Sequence, residues 1–413
     1  MEKKIMSTNL EKTTKEKINI IKHLKMGVVH AGIKENNLPD LLVISIPENS
    51  NVVGVFTQNQ FCAAPVLIAK KHLEQGDQIR ALIINSGCAN AGMGQQGIDD
   101  VNLVCETLAN QLGLDKKQVL PFSTGLIMSK LPVDKITEVI PNALRNLDEN
   151  NWLEGAKSIM TTDTVPKVYS RKIKLNNMNA TITGICKGSG MIYPNMATML
   201  AFIAIDISIP KLMLKELIKE TCETSFNCIS VDGDTSTNDS FVLMSIPSNR
   251  EFILKKDSDE YKEVRLAIID VAKYLAQSIV RDGEGATKFI SINVKQALSQ
   301  NEARMVGMSI ANSPLVKTAF FASDANLGRV LSAIGNSKVK DLNLDKINVY
   351  INKILFAEAG SISDSFDESK IASEMKKDEI NLSISLGRGN EELTMWTTDL
   401  SHKYIEINSE YRT

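Results

Sequence analysis

Residues 187–200, "KGSGMIYPNMATML", carry no charge after Lys187 and set a small residue, Ala197, directly before a hydroxyl residue, Thr198. If the backbone breaks between the two, the new α-amine has a reference pKa of about 7.7–8.0. Beside its own hydroxyl, such an amine is a general base near neutral pH, so a threonine nucleophile needs no histidine. The "GSG" turn could strain or expose the scissile bond. Read locally, the plainer account is favoured: Thr198 opens a buried strand and "GSG" is a turn.

Other chemistries find less support. The four histidines are His23, His30, His72 and His402, three of them in the N-terminal fifth, and none has a metal-ligand partner at helical spacing. A Ser-His-Asp triad or a His-bound zinc would have to recruit one through the fold. The six cysteines form no Cys-x-x-Cys pair, which suits reduced, mostly buried thiols in a reducing compartment. "KGSGM" lacks both the Walker spacing and the dinucleotide fingerprint. "SVDGDTSTNDS" has the composition of a calcium loop without its bidentate glutamate, so it reads as a solvated turn or a loop supporting a site. Neither a metal nor a cofactor is expected.

Two further stretches gather polar groups where apolar runs end. "PFSTGLIMSKLP" places Ser123, Thr124 and Gly125 in a turn whose backbone N–H groups could stabilise an oxyanion; an ordinary strand-to-helix turn is the alternative. "SIMTTDTVPK" places Thr161, Thr162 and Asp163 at the end of a helix, where capping is the plain account.

These stretches need a scaffold, and the sequence alternates strands and helices throughout. "LLVISIP", "NVVGVFT" and "RALIINSG" are β-rich runs closed by turn residues. Residues 98–112 place Val101, Val104, Cys105, Leu108 and Leu112 on one helical face, with Gly113 as the stop. A second helix follows Pro210 through Leu214, Leu217, Ile218 and Cys222. A longer one carries Val264, Ala267, Ile268, Val271 and Leu275 and halts at "RDGEG". "YSRKIKLNNMNATITGIC" reads as a hairpin turning at Asn176 and Asn177, and "KINVYINKILFAE", "INLSISLGRG" and "ELTMWTTDL" as strands of a smaller sheet. The expectation is a layered α/β protein with a main domain over 1–290 and a smaller α/β domain over 291–413.

Composition narrows the partners. A formal charge of -2 and 5% aromatic residues give no footprint for nucleic acid or an anionic membrane. The N-terminus mixes Lys with Glu, lacks an apolar stretch and has no arginine before Arg80. It reads as neither a secretory signal nor a mitochondrial presequence, so a cytoplasmic protein is expected.

Taken together the motifs resemble the ornithine acetyltransferase (ArgJ, glutamate N-acetyltransferase) family of arginine biosynthesis. The matching stretches are "GVFTQNQFCAAPV", "INSGCANAG", "STGLIM", "IMTTDTVPK", "KGSGMIYPNMATML", "SVDGDTSTNDS", "RDGEGATKF", "DANLGRV" and "INSEYRT". They run in order from about Gly27 to Thr413, and the most specific of them reverses the local preference at Thr198. The resemblance implies an αββα sandwich of the ArgJ/DmpA type that cuts itself between Ala197 and Thr198, giving an α chain 1–197 and a β chain from 198. It implies Thr198 as the nucleophile that takes acetyl from N-acetylornithine and passes it to glutamate. Thr124 and Gly125 fall on the oxyanion-stabilising pair, and Thr161, Lys187, Glu284, Asn408 and Thr413 on substrate-binding positions. The C-terminal tail would return to the active site, and an α2β2 heterotetramer is implied. Whether acetyl-CoA also serves as donor is not readable from the motifs. Leu327 stands where the family usually has tryptophan, and Tyr193 where Ala or His is commoner.

Two other readings compete. A self-processing amidase or aminopeptidase would share the threonine but let water reach the acyl-enzyme; "INSEYRT" and "RDGEGATKF" favour the transferase. A small-molecule binding protein would never cleave, which a denaturing gel distinguishes.

Overall fold

The chain begins with β1 (Lys25–Val29), β2 (Leu41–Ser45), β3 (Asn51–Phe56), α1 (Ala64–Gln75), β4 (Ala81–Cys88) and α2 (Gly94–Leu112). It continues through β5 (Val119–Leu126), α3 (Val133–Arg145), α4 (Trp152–Ser158), β6 (Lys167–Leu175) and β7 (Met178–Lys187). Next come β8 (Leu200–Ile205), α5 (Lys211–Thr224), β9 (Ile229–Ser230), β10 (Ser240–Ser245) and α6 (Asp259–Arg281). The remainder comprises β11 (Phe289–Ala297), α7 (Gln300–Ala311), α8 (Pro314–Ala322), α9 (Leu327–Gly335), β12 (Asn348–Ile351) and β13 (Ile354–Glu358). It closes with β14 (Ser361–Ile362), α10 (Glu368–Met375), β15 (Glu379–Ser385), β16 (Glu391–Thr398) and α11 (His402–Glu410). This computed structural model describes residues 8, 10, 13–35, 38–75, 78–176, 178–193, 199–247, 254–256, 258–364 and 367–410.

The first sheet has the order β1-β2-β4-β5 and the second β3-β10-β8-β7-β6. Successive side chains on a strand point to opposite faces, so each apolar run feeds two cores. Leu42, Ile44, Leu82, Ile84 and Phe122 of the first sheet meet Ile185, Phe202, Ala204, Val242 and Met244 of the second. Phe122 and Phe202 touch edge to face across that layer, with centroids 5.1 Å apart. On the outer face of the first sheet, Leu41, Val43 and Ile83 pack on Val104, Leu108, Ile136 and Ile140 of α2 and α3. On the outer face of the second, Ile203, Phe241 and Leu243 pack on Leu214, Leu217, Ile268 and Leu275 of α5 and α6. The result is an αββα sandwich, and it explains why "MLAFIAI" is apolar without alternation: β8 is buried on both faces.

The third sheet has the order β14-β13-β12-β15-β11-β16-β9. Its β9 pairs with Trp396 and Thr397 of β16, so the later part of the chain is joined to the earlier one by main-chain hydrogen bonds. A divide at 290 would pass through β11, which starts at Phe289; we propose that it lies in the turn over 282–288.

Several expected elements begin elsewhere. α2 starts at Gly94, so Asp99 and Asp100 lie past its first turn, and it ends before Gly113 as expected. The hairpin pairs Leu175 with Met178, with Asn177 outside the described residues. The segment before β1 packs on the sandwich: Ile21 and Leu24 are fully buried between the sheets, and Thr183 Oγ1 donates to the Asn19 carbonyl at 2.6 Å.

Candidate active site

Thr124 and Gly125 belong to the end of β5 rather than to a turn after it. Ser86 pairs with Thr124 and Gly87 with Gly125, and the register slips at Cys88. Gly125 has φ +131, and a Cβ there would overlap the Gly87 backbone and come within 2.5 Å of the Cys88 nitrogen. Only glycine fits both demands. Polar side chains lock this junction. Asn85 Nδ2 donates to the Cys88 carbonyl at 2.8 Å, and Ser123 Oγ to Asn85 Oδ1 at 2.6 Å. Asn238 Nδ2 donates to the Ala89 and Ser123 carbonyls at 2.7 and 2.9 Å. "INSGCANAG" and "TSTNDS" therefore serve as a frame for the "STG" strand end.

Lys187 closes β7 in the opposite sheet and is 5% exposed. Its Nζ donates to Thr124 Oγ1 at 3.2 Å. Burial pushes its pKa down, Asp163, Asp239 and Glu284 oppose that, and Lys167 adds to it. Asp163 does not cap α4, which ends at Ser158. Its carboxylate accepts from the Thr161 amide at 3.0 Å, the Gly188 amide at 2.7 Å and Lys167 Nζ at 2.6 Å. Burial alone would raise this carboxyl, but Lys167, Lys187 and the Gly188 amide outweigh it and hold it well below the usual range.

The third wall comes from the end of α6. Lys167 Nζ also donates to Asp282 at 2.6 Å, and Asp282 accepts from the Thr164 amide at 3.0 Å. Ser189 Oγ donates to the Asp282 carbonyl at 2.6 Å, and the Glu284 amide to the Ser189 carbonyl at 3.0 Å. Asn408 on α11 donates to Glu284 Oε2 at 2.8 Å, which sets α11 beside this wall.

These residues surround one cavity of about 200 Å³, lined among others by Thr124, Gly125, Thr161, Lys187, Glu284 and Asn408. All six are positions to which the sequence pointed. Ala197, Thr198 and Thr413 lie outside the described residues. β8 begins at Leu200, two positions after Thr198, and the Ser240 amide bonds the Met199 carbonyl at 3.0 Å. A wider groove of about 910 Å³, lined by Lys22, Lys172, Lys174 and Asp206, contains none of the six.

Sequence reasoning missed three residues. Asp232 accepts from the Met191 and Ile192 amides at 2.6 and 2.9 Å, anchoring the segment after Lys187. Tyr404 also lines the cavity, its hydroxyl pKa pushed up by burial and by Asp232 and Glu284. Asp239 is 1% exposed, and its carboxylate oxygens have no hydrogen-bond partner of good geometry among the described residues. Burial pushes its carboxyl well up, against the pull of Lys187 and the Met199 amide. The acidic "VDGDTSTND" run was the available signal for two of these. No signal marked Tyr404.

Two facing sheets and the end of α6 thus bring a hydroxyl-bearing strand end, a buried lysine and a carboxylate to one cavity. The ArgJ family model matches residues 25–413, and the chain belongs to that family. Relatives named "Arginine biosynthesis bifunctional protein ArgJ" include one from Colwellia psychrerythraea, 46% identical over 99% of this chain and 100% of its own length. Another, from Neisseria meningitidis serogroup A, is 47% identical over 98% and 100%. A crystal structure of the Bacillus halodurans ArgJ protein is 33% identical, covers 50% of this chain and 96% of its own, and superposes with a TM-score of 0.47. No helix among the described residues is long and apolar enough to cross a membrane.

Proposed function

We propose that this chain cleaves itself between Ala197 and Thr198 and then moves acetyl from N-acetylornithine to glutamate through an acetyl-Thr198 ester. The observation that carries the proposal is the convergence of Thr124, Gly125, Thr161, Lys187, Glu284 and Asn408 on one cavity, joined to membership of the ArgJ family. Thr198 Oγ attacks the acetyl carbonyl and its α-amine takes the proton. The developing oxyanion is met by the Thr124 hydroxyl and the Gly125 amide. Because Thr124 Oγ1 accepts from Lys187, its own O–H is left to donate. Lys187 holds a substrate carboxylate and Glu284 a substrate ammonium, with Thr161, Asn408 and Thr413 completing the contacts. Ornithine leaves with the returned proton, and the glutamate amine then attacks the ester.

The "bifunctional" name of the relatives supports acetyl-CoA as a second donor. The cleaved chains assemble as an α2β2 heterotetramer in the cytoplasm. The test begins on a denaturing gel: wild type runs as two fragments, residues 1–197 and 198–413, while Thr198→Ala stays intact and inactive. A single wild-type band would sink the self-cleavage. N-acetylglutamate formed from glutamate and acetyl-CoA alone assigns the second donor activity; none formed withdraws it. Acetate release without transfer to glutamate would favour the hydrolase reading.

A further inference from the structure

We propose that the buried cluster Asp163–Lys167–Asp282 is the counter-charge that keeps Lys187 an ammonium in the cavity, which makes Asp163 a positioning residue for the donor and acceptor carboxylate. The three side chains are wholly shielded from solvent: Lys167 Nζ lies 2.6 Å from one oxygen of each aspartate. Two carboxylates around one ammonium leave a surplus negative charge. A buried charge is tolerated when it is paired and hydrogen-bonded, and Lys187 is a further cation that bears on Asp163; its neighbour Gly188 donates its amide to the same Asp163 oxygen at 2.7 Å.

The charged groups that bear most on Lys187 among the described residues fit this account. From β6 and the loop before it come Lys167 and Asp163, from the residue before β10 Asp239, and from the end of α6 Glu284. Lys34, after β1, is a second cation within electrostatic range, its own pKa lowered to about 8 chiefly by burial. Cys186, on the same strand, carries a thiol pushed up by burial. Asp239 is likewise pushed well up by burial. Asp163 is instead held low. Among the carboxylates that oppose the like charge of Lys167 at Lys187, Asp163 contributes most, and it also accepts from the Thr161 amide at 3.0 Å. One bond network thus sets both the charge of Lys187 and the place of Thr161.

The inference rests on the reading of Lys187 as the carboxylate-holding group, and the experiment separates the two. In the full-length protein, lysines labelled with 13C at Cε are titrated by NMR, with the Lys187 signal assigned from Lys187→Arg. Asp163→Asn is expected to lower the Lys187 midpoint by about one pH unit or more. Asp282→Asn should lower it by less, since Asp282 stands behind Lys167. Lys167→Met, which removes a like charge, should not lower it; general loosening of the fold would move all three variants alike. An unmoved midpoint in folded Asp163→Asn overturns the proposal. If that variant does not fold, Asp282→Asn decides by the presence or absence of its downward shift. KM for acetylornithine is then followed against pH. An alkaline rise that moves with the Lys187 midpoint upholds both readings. A moved midpoint with an unmoved KM profile keeps the counter-charge and removes Lys187 from carboxylate binding.

Discussion

Lys187 Nζ lies 3.2 Å from Thr124 Oγ1, so a cation at the end of β7 donates to a hydroxyl near the end of β5 in the facing sheet. The contact bridges the two sheets and directs the threonine O–H away from the lysine. Removing one oxyanion donor typically costs about 100- to 1000-fold in turnover. Thr124→Ala should lose kcat on that order while melting close to wild type, and Thr124→Ser should recover most of it. A serine variant as poor as the alanine one would remove the side chain from the oxyanion role.

Gly125→Ala should do harm by a different route. The new methyl would meet the Gly87 backbone and the Cys88 nitrogen, on a residue at φ +131. Backbone atoms cannot swing aside as a flexible side chain can. The β4–β5 junction must open, and we expect a thermal midpoint several degrees lower together with loss of acetyl transfer. A variant that melts and turns over like wild type would show that the junction gives more easily than its contacts suggest.

The elements most legible in the sequence were those whose periodicity is enforced by burial. β2, β3, β4, α5 and α6 fall where apolar spacing put them, because each has a face packed against a core. The frame of the site was less legible. Asp163 looked like a cap and "STG" like a turn because Gly188, which bonds the first, and Gly87, which pairs with the second, lie far along the chain. Long-range hydrogen bonds leave no periodic trace. The chemistry of Thr124, Thr161 and Glu284 was reached through motif resemblance rather than spacing, and Tyr404 had neither.

Lys167 should be costly to lose. Breaking a buried ion pair leaves a charge without its partner and typically destabilises by about 3–5 kcal/mol, so Lys167→Met should melt well below wild type at pH 7. The Asp163 carboxyl is held below its ordinary range. Its contribution is therefore fully present above the unfolded value of about 3.9 and is lost as pH falls through the folded value. The gap in Tm between wild type and Asp163→Asn should be steady from pH 7 to about 5 and narrow below about 4. A gap that stays constant into that acid range would show that Asp163 stabilises through geometry alone.

Asn408 donates to Glu284 Oε2 at 2.8 Å, and this bond turns α11 into a wall of the cavity. Asn408→Asp keeps the shape and replaces an N–H donor with a second carboxylate. Two carboxylates at that separation cannot both ionise freely, so the pair holds one proton to a higher pH than either would alone. While the proton is held, an O–H can stand in for the lost N–H and Glu284 keeps its orientation. Once the proton leaves with rising pH, the two groups repel and Glu284 is drawn from its place beside the substrate ammonium. Hydrogen bonds to charged groups are worth about 1.5–3 kcal/mol, which corresponds to about a 10- to 150-fold rise in KM for acetylornithine. The variant's KM should therefore approach that of wild type at low pH and separate from it as pH rises, with self-cleavage at Ala197 unaffected. Steady-state kinetics from pH 5 to 9 on both enzymes, with gels to monitor processing, check this. A KM ratio that does not change with pH would detach Asn408 from the charge state of Glu284.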